Sequence, residues 1–408
     1  MLALEHLGME AFWNWAPDTN TYWAVTDELL GDNARGEWAL FRVGPGYGLI
    51  LAGLRLLFGA GPLVPILFSV LMGILAPVAV YLLAERLIGR PAVSFTAGLL
   101  AAISPTSISL STHILTDQTY FTLQCFALVM FVCGLQRRTL KWFLGAGLTA
   151  GVALLVRPSG QLWPYLFLLL PLVLPLPIGF RSRRAFWLKA AVTGAVALVM
   201  AVSWMVRNYA VEGVFTFGSN GVVTARDCLW AQVESRRTGR HIYDLRAEWI
   251  KEDGDQRPPY GEGYRRAGER VLAGFKQQPF DAISCYFKNL GDNVTAPNVY
   301  MERQLPILVE SLTDYNRAFR RWISYFVFAL TLAGLIVLRR QRNMTAFVIL
   351  ATTYFYFTVL LGFSFWQGSR LHYPAEMAGN ILVAYAALCG IDRIRAFALR
   401  SRGGTRAR

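Results

Sequence analysis

The sequence predicts an all-α polytopic membrane protein, and three observations carry that prediction. Of 408 residues, 54% are hydrophobic, 13% aromatic and only 16% charged, which is far too apolar for ordinary soluble domains. Apolar runs recur at roughly the 20-residue length that crosses ~30 Å of hydrocarbon. The basic residues fall in alternate connections between those runs, as they do when such loops stay on the cytoplasmic side. A formal charge of +14 is therefore a sidedness signal rather than the footprint of a nucleic-acid binder.

The first 61 residues form an outer loop. Its opening 40 are acidic through Glu5, Glu10, Asp18, Asp27, Glu28, Asp32 and Glu37, and an aromatic stretch from Trp13 to Trp23 surrounds Asp18. Residues 46–60 are apolar but carry Arg55, so they read as an interfacial helix rather than a span. Counting them as a span would put the basic clusters outside. Nine spans follow, near 62–84, 92–112, 118–135, 142–157, 161–180, 186–206, 322–338, 345–365 and 377–391. Arg86 and Arg90, then Arg137, Arg138 and Lys141, then Arg181, Arg183, Arg184 and Lys189, then Arg339, Arg340 and Arg342 occupy every second loop. The division that results is a first loop (1–61), a helix block (62–206), an outer polar insert (207–321), a second helix block (322–396) and a basic cytoplasmic tail (397–408). Nine spans with a cytoplasmic C-terminus put Met1 outside, which calls either for a tail translocated unaided or, the favoured expectation, for a tenth, apolar helix ahead of this sequence.

Within the insert, Tyr264, Val271, Leu272, Phe275 and Phe280 are spaced to form one apolar face of a helix over 261–290. Cys228 and Cys285 share the insert, where an oxidising compartment would let them pair or leave them free; Cys125, Cys133 and Cys389 lie in spans as small apolar residues. There is no C-x-x-C, H-E-x-x-H or Walker sequence, and His6, His113, His241 and His372 are too scattered for a ligand cluster.

Polar residues at the outer ends of the spans are the candidates for chemistry. Asp18 is a carboxylate held at a membrane surface, suited to accept a proton from a hydroxyl substrate. Asp117 opens a span after Leu115-Thr116, where it or Thr116 could equally cap the helix. Arg157 and Arg207 each end a span, in functional or in merely snorkelling positions. The turn from Phe365 to Glu376 holds Arg370 and His372 between aromatics, suited to an anion at headgroup depth because the guanidinium fork matches phosphate oxygens. Its bland alternative is that Arg370 pairs with Asp117 or Glu376.

Taken in order, Asp18-x-x-x-Tyr22, Arg42-Val43-Gly44-Pro45-Gly46-Tyr47, Leu115-Thr116-Asp117, Leu155-Val156-Arg157-Pro158, Trp204 to Tyr209 and Arg370-Leu371-His372-Tyr373-Pro374 resemble the bacterial branch of the dolichyl-phosphate-mannose protein mannosyltransferase superfamily. That branch includes the lipid A aminoarabinose and galacturonic acid transferases, and the resemblance spans nearly the whole chain. It implies a GT-C glycosyltransferase fold and a polyprenyl-phosphate sugar donor. It also implies Asp18 as catalytic base, Asp117 as the second acid supporting the acceptor or, in some members, a divalent metal ion, and Arg370 as donor-phosphate ligand; Arg157, Arg207 and His372, at the same face by their place at span ends, are the candidates to bind the phosphate with it. Tyr22, Tyr47, Trp366 and Tyr373 would line the substrate groove or belong to an interfacial aromatic belt. Thr19 stands where eukaryotic members carry a second acid.

The expected activity is inverting transfer of the sugar to a hydroxyl of a lipid, glycan or protein acceptor, at the outer face of a bacterial cytoplasmic membrane. The competing expectation is a transporter or flippase for an amphiphilic lipid-linked substrate. Span centres almost free of charge favour the enzyme.

Overall fold

The computed structural model describes residues 17–31, 36–59, 61–177, 180–254, 257–296, 313–365 and 367–403, and every regular element among them is a helix. Three short helices come first: α1 (Pro17–Leu29), α2 (Gly36–Val43) and α3 (Gly46–Phe58). The bundle then begins with α4 (Leu63–Ile88), α5 (Pro91–Ala102), α6 (Pro105–Ser111), α7 (Thr116–Arg137), α8 (Leu140–Val156), α9 (Trp163–Val173) and α10 (Arg183–Glu212). The insert contributes α11 (Asn220–Thr224), a π-helical turn (Ala225–Trp230), α12 (Ala231–Thr238), α13 (Ile242–Asp253), α14 (Tyr260–Gln277) and α15 (Pro279–Thr295). The bundle closes with α16 (Thr313–Arg340), α17 (Met344–Leu360) and α18 (Ser369–Gly403).

Six of these helices are long and apolar enough to cross a membrane, or seven if the bent pair α5–α6 counts as one span. Each of the nine apolar runs is helical, but three are short or broken for readable reasons. Pro105 starts a new helix after Ser104, whose side chain caps it by accepting from the Ser107 N–H, and the axis bends by 54° there. Arg157-Pro158 ends α8 after 17 residues, about 25 Å. Pro171, Pro175 and Pro177 hold α9 to 11 residues. α3, at 13 residues, is shorter than a span, and its Arg55 pairs with Asp27 and lies over the Trp23 ring at 4.8 Å.

The helix α7 is the hub. Almost its whole length is buried, because α4, α8 and α18 pack around it. Outer helices instead expose apolar stripes at helical spacing, Leu67, Leu71, Ile74 and Val78 on α4 and Val199, Val202 and Val206 on α10, the pattern of a surface facing hydrocarbon. Small residues bring backbones together where no water-driven force would: a Cβ on Gly334 of α16 would sit 2.4 Å from the Leu382 carbonyl oxygen of α18.

The basic loops meet at one end of this bundle. Arg90 pairs with Asp392 at 2.7 Å, Asn343 donates to the Leu87 carbonyl at 3.0 Å, Gln136 to that of Arg86 at 2.7 Å and Lys189 to that of Arg138 at 2.8 Å. The turns near 113–117, 157–161 and 361–369 lie at the other, with the insert.

The insert departs from the sequence reading. The helix expected over 261–290 is two helices broken at Gln278-Pro279. Its expected apolar face is divided accordingly: Phe275 packs on Trp230 and Tyr264 on Phe41, while Leu272 and Phe280 are exposed. Leu229, Trp230, Val233, Leu245, Trp249, Ala282 and Cys285 form a small core of the insert's own. Cys228 and Cys285 are both free thiols.

Candidate active site

Asp18 lies in the first turn of α1, where unpaired backbone N–H groups favour an anion. One residue on, the Thr19 hydroxyl donates to the Ile114 carbonyl at 3.1 Å and pins α1 to the turn between α6 and α7. Tyr22, a helical turn further, brings its hydroxyl within 3.1 Å of Thr116 Oγ1 and packs edge-on against Tyr47, with ring centroids 5.3 Å apart. α3 in turn lies so close to the end of α8 that a Cβ on Gly46 would be 2.4 Å from the Leu155 carbonyl carbon. The segment bearing Asp18 is thus fastened to the start of α7 and the end of α8.

Asp117 sits in the first turn of α7 with 1% of its side chain exposed. It is no helix cap, for its carboxylate is taken by two arginines. Arg157, in the extended residue that ends α8, places Nη1 2.8 Å from Asp117 Oδ1 and 3.0 Å from Thr116 Oγ1. Arg370, at the start of α18, directs Nε to both Asp117 oxygens at 3.3 Å and Nη2 to Oδ2 at 3.2 Å. The same Nη2 lies 2.7 Å from Asp18 Oδ2, and Nη1 donates to Gln367 Oε1 at 3.3 Å. The result is a row, Asp18–Arg370–Asp117–Arg157, drawn from four helices far apart in the chain.

Charge along this row is balanced, two carboxylates against two guanidiniums, and Arg42 adds a further positive charge to the field at Asp18. Burial opposes ionisation of Asp18, but Arg370, then Arg42 and Arg157, outweigh it and hold the carboxyl below its ordinary value. Asp18 remains 48% exposed, so it is the member of the row open to a ligand. Burial and the Asp18 charge raise the Tyr22 phenol, which stays protonated. Burial pushes the His113 imidazole down; its Nδ1 lies 2.8 Å from the Ser109 carbonyl oxygen, and it feels the charges of Arg370 and Asp117.

Four of the expected residues, Asp18, Asp117, Arg157 and Arg370, meet here, with Tyr22 and Tyr47 packed behind them. Others stand apart. Arg207 stacks over Trp204 at 5.1 Å and donates to Asn208, whose own amide holds the Thr216 carbonyl at 2.9 Å. His372 points to Thr358 and Tyr354. Tyr373 faces the interior, stacked on Phe121 and bonded to Ser107 and Gln118 at 2.9 and 3.0 Å. Trp366 lies outside the described residues. Glu376 accepts from Ser104 at 2.9 Å, and of the two carboxylates offered by the sequence it is Asp117 that pairs with Arg370. Thr19, Arg42, His113 and Thr116 were not singled out for the site; the motif segments contained three of them, but only tertiary contact gives them a part.

A divalent cation does not fit this donor set. The Arg370 guanidinium already lies between the two carboxylates, and no group of three His, Cys, Asp or Glu side chains that could hold a metal occurs among the described residues.

The all-helical bundle, with the segment that bears Asp18 fastened over the ends of α7 and α8, resembles known proteins both in sequence and in fold. Residues 42–205 match the family model of the dolichyl-phosphate-mannose-protein mannosyltransferases, which bears out the resemblance carried by the motifs. The fold overlays on the oligosaccharyltransferase AglB of Archaeoglobus fulgidus, solved with an inhibitory peptide and a dolichol-phosphate, with a TM-score of 0.52 and 15% identity, covering 95% of this chain and 48% of that one. The oligosaccharyltransferase of that organism tethered to an acceptor peptide gives 0.50 and 15%, over 87% and 42% of the two chains. ArnT from Cupriavidus metallidurans, in the apo state, gives 0.37 and 17%, over 91% and 72%. The chain thus spans about half the length of the archaeal structures. No curated protein sequence matches it.

Proposed function

We propose that this protein moves a sugar from a polyprenyl-phosphate donor to a hydroxyl of a lipid, glycan or protein acceptor, by direct inverting displacement, at the outer face of a bacterial cytoplasmic membrane. The observation that carries the reading is the row Asp18–Arg370–Asp117–Arg157, with its half-open carboxylate beside a guanidinium. Convergence of the basic loops at the opposite end supports an outward-facing site, and nine crossings follow if α5–α6, α8 and α9 each complete one.

In this reading the acceptor oxygen attacks the anomeric carbon, its proton passes to Asp18, and the bond to phosphate oxygen breaks with its electron pair on the departing polyprenyl phosphate. Arg370 meets that phosphate, with Arg157 and Arg42 adding charge. An incoming phosphate competes with Asp18 for Arg370, and a carboxylate that loses its cationic partner becomes a stronger base. Donor binding thereby arms the base. Asp117, too buried to reach a substrate, keeps both guanidiniums in place. Phosphate is already a good leaving group, so no general acid is required.

The test is transfer in vitro by the purified protein from a panel of polyprenyl-phosphate sugars, with Asp18→Asn as control. A new glycosidic bond made by the parent and lost in the variant is the expected result. Near-normal transfer by Asp18→Asn rejects the base assignment, and transport of the lipid without any new bond favours a carrier.

A further inference from the structure

Arg370 follows a connection that leaves α17 through a 3-10 turn, Leu361–Phe363, and enters α18 at Ser369. Past that turn the backbone groups lose their helical partners, and near a bilayer each unpaired one is costly. They are satisfied from the insert. Asn293, fully buried near the end of α15, donates Nδ2–H to the Leu361 carbonyl at 3.0 Å and to that of Ser364 at 2.6 Å. Its Oδ1 accepts from the N–H groups of Gln367 at 3.1 Å and Gly368 at 3.0 Å. Only a side-chain amide offers two donors and an acceptor with two lone pairs at one position, so asparagine meets both sides of the turn at once.

Three neighbouring contacts strengthen the grip. Asn289, one helical turn earlier, donates to the Gly362 carbonyl at 3.4 Å; the Ser369 N–H donates to the Ala296 carbonyl at 3.1 Å; and the Tyr286 hydroxyl donates to the Val359 carbonyl at 2.6 Å. Gly362 lies so near the Tyr286 ring that a Cβ there would come within 2.2 Å of it. Gly368 takes a left-handed φ of +57°, which turns the chain into α18 two residues before Arg370. Gln367, whose N–H Asn293 holds, also receives Arg370 Nη1.

We propose that Asn293 is a positioning residue for Arg370: by clamping the 361–368 turn to the outer insert, it sets where the first turn of α18 begins and hence where the guanidinium lies. The inference rests on reading Arg370 as the donor-phosphate ligand. It gives the insert a role in the reaction without contact to substrate. A guanidinium displaced by about 1 Å keeps its charge but loses its fork geometry, a loss worth up to ~100-fold where orientation matters.

Undecaprenyl phosphate is the probe, its binding to the full-length detergent-solubilised protein being followed by tryptophan fluorescence for the parent, Arg370→Ala, Asn293→Ala and the double variant. Asn293→Ala is expected to weaken binding about tenfold, and to add nothing once Arg370 is already alanine, the non-additivity of residues that act through one another. Binding equal to the parent, or a full tenfold loss persisting in the Arg370→Ala background, overturns the proposal. If Arg370→Ala itself binds like the parent, the donor-phosphate reading fails instead. Should Asn293→Ala not yield a monodisperse protein, Asn289→Ser, which gives up one 3.4 Å bond to the same turn, carries the test. About a threefold loss through Arg370 supports the clamp, and no loss refutes it.

Discussion

Replacing Asp117 by Asn and Asp18 by Asn removes the same charge from two different surroundings, and the structure separates the consequences. Asp117 is 1% exposed and holds Arg157 at 2.8 Å and Arg370 at 3.2 Å. Its loss takes from the nearly buried Arg157 its carboxylate at 2.8 Å and leaves Arg370 with the half-open Asp18, and breaking a buried pair from one side costs about 3–5 kcal/mol. Asp18 is 48% exposed, and Arg370 keeps Asp117 when Asp18 is neutralised, so the stability cost falls to the ~0–1 kcal/mol of an open ion pair. Catalysis should respond the other way. Loss of the base slows transfer by roughly 10²- to 10⁴-fold in Asp18→Asn while the protein stays folded. The assay pairs thermal melting of the detergent-solubilised protein with transfer at a temperature where both variants are intact. Unfolding of such a protein is apt to be irreversible, so the melting temperatures are compared as a ranking at one scan rate. The reasoning is refuted if Asp18→Asn melts as low as Asp117→Asn and still transfers at the parent rate.

Arg370→Lys retains the charge but replaces a fork that spans Asp18, Asp117 and Gln367 with a single ammonium; donor binding should weaken by about tenfold or more in a lipid-phosphate titration. Gly46→Ala drives a methyl into the Leu155–Val156 backbone at 2.4–2.6 Å, which should lower the melting temperature and loosen the Asp18 loop, read as faster proteolysis within residues 17–58. The Asp18 carboxyl is held below its ordinary value by Arg370, so the stability from that pair is fully present above the unfolded value near ~3.9 and is lost as pH falls through the lower folded one. The difference in melting temperature between parent and Asp18→Asn should accordingly be flat from about pH 5 upward and vanish in stronger acid.

Much of the site was legible because the motifs lie at span ends. Leu115-Thr116-Asp117 and Leu155-Val156-Arg157-Pro158 mark where α7 begins and α8 stops, and such ends must gather at one surface of a bundle. Arg370 was legible too, as a cation in a short turn, yet its partners were not: Asp117 was a possible pairing, whereas Asp18 was expected to act on substrate rather than to touch Arg370. Arg207 and His372 lie apart from the row. Each follows a motif in sequence, but the rotation of α10 and α18 about their own axes directs them to Trp204 and Asn208, and to Tyr354 and Thr358. Asn293 carried no signal, since an asparagine in a polar insert looks solvated until the 361–369 turn is laid against it.

Composition and the period of the apolar runs by themselves determined that this is a multi-pass helical protein, where its long apolar helices fall, and which loops share an end. These are properties of individual segments, because the length of an apolar run and the charge beside it act on each helix alone. Tertiary structure alone decided that Asp18 and Asp117 close on one guanidinium, that the two insert thiols remain apart, and that Asn293 holds the turn before Arg370. Such contacts depend on the rotation and approach of helices separated by up to about 350 residues. Those are set by the packing of all the helices together, which no segment encodes on its own.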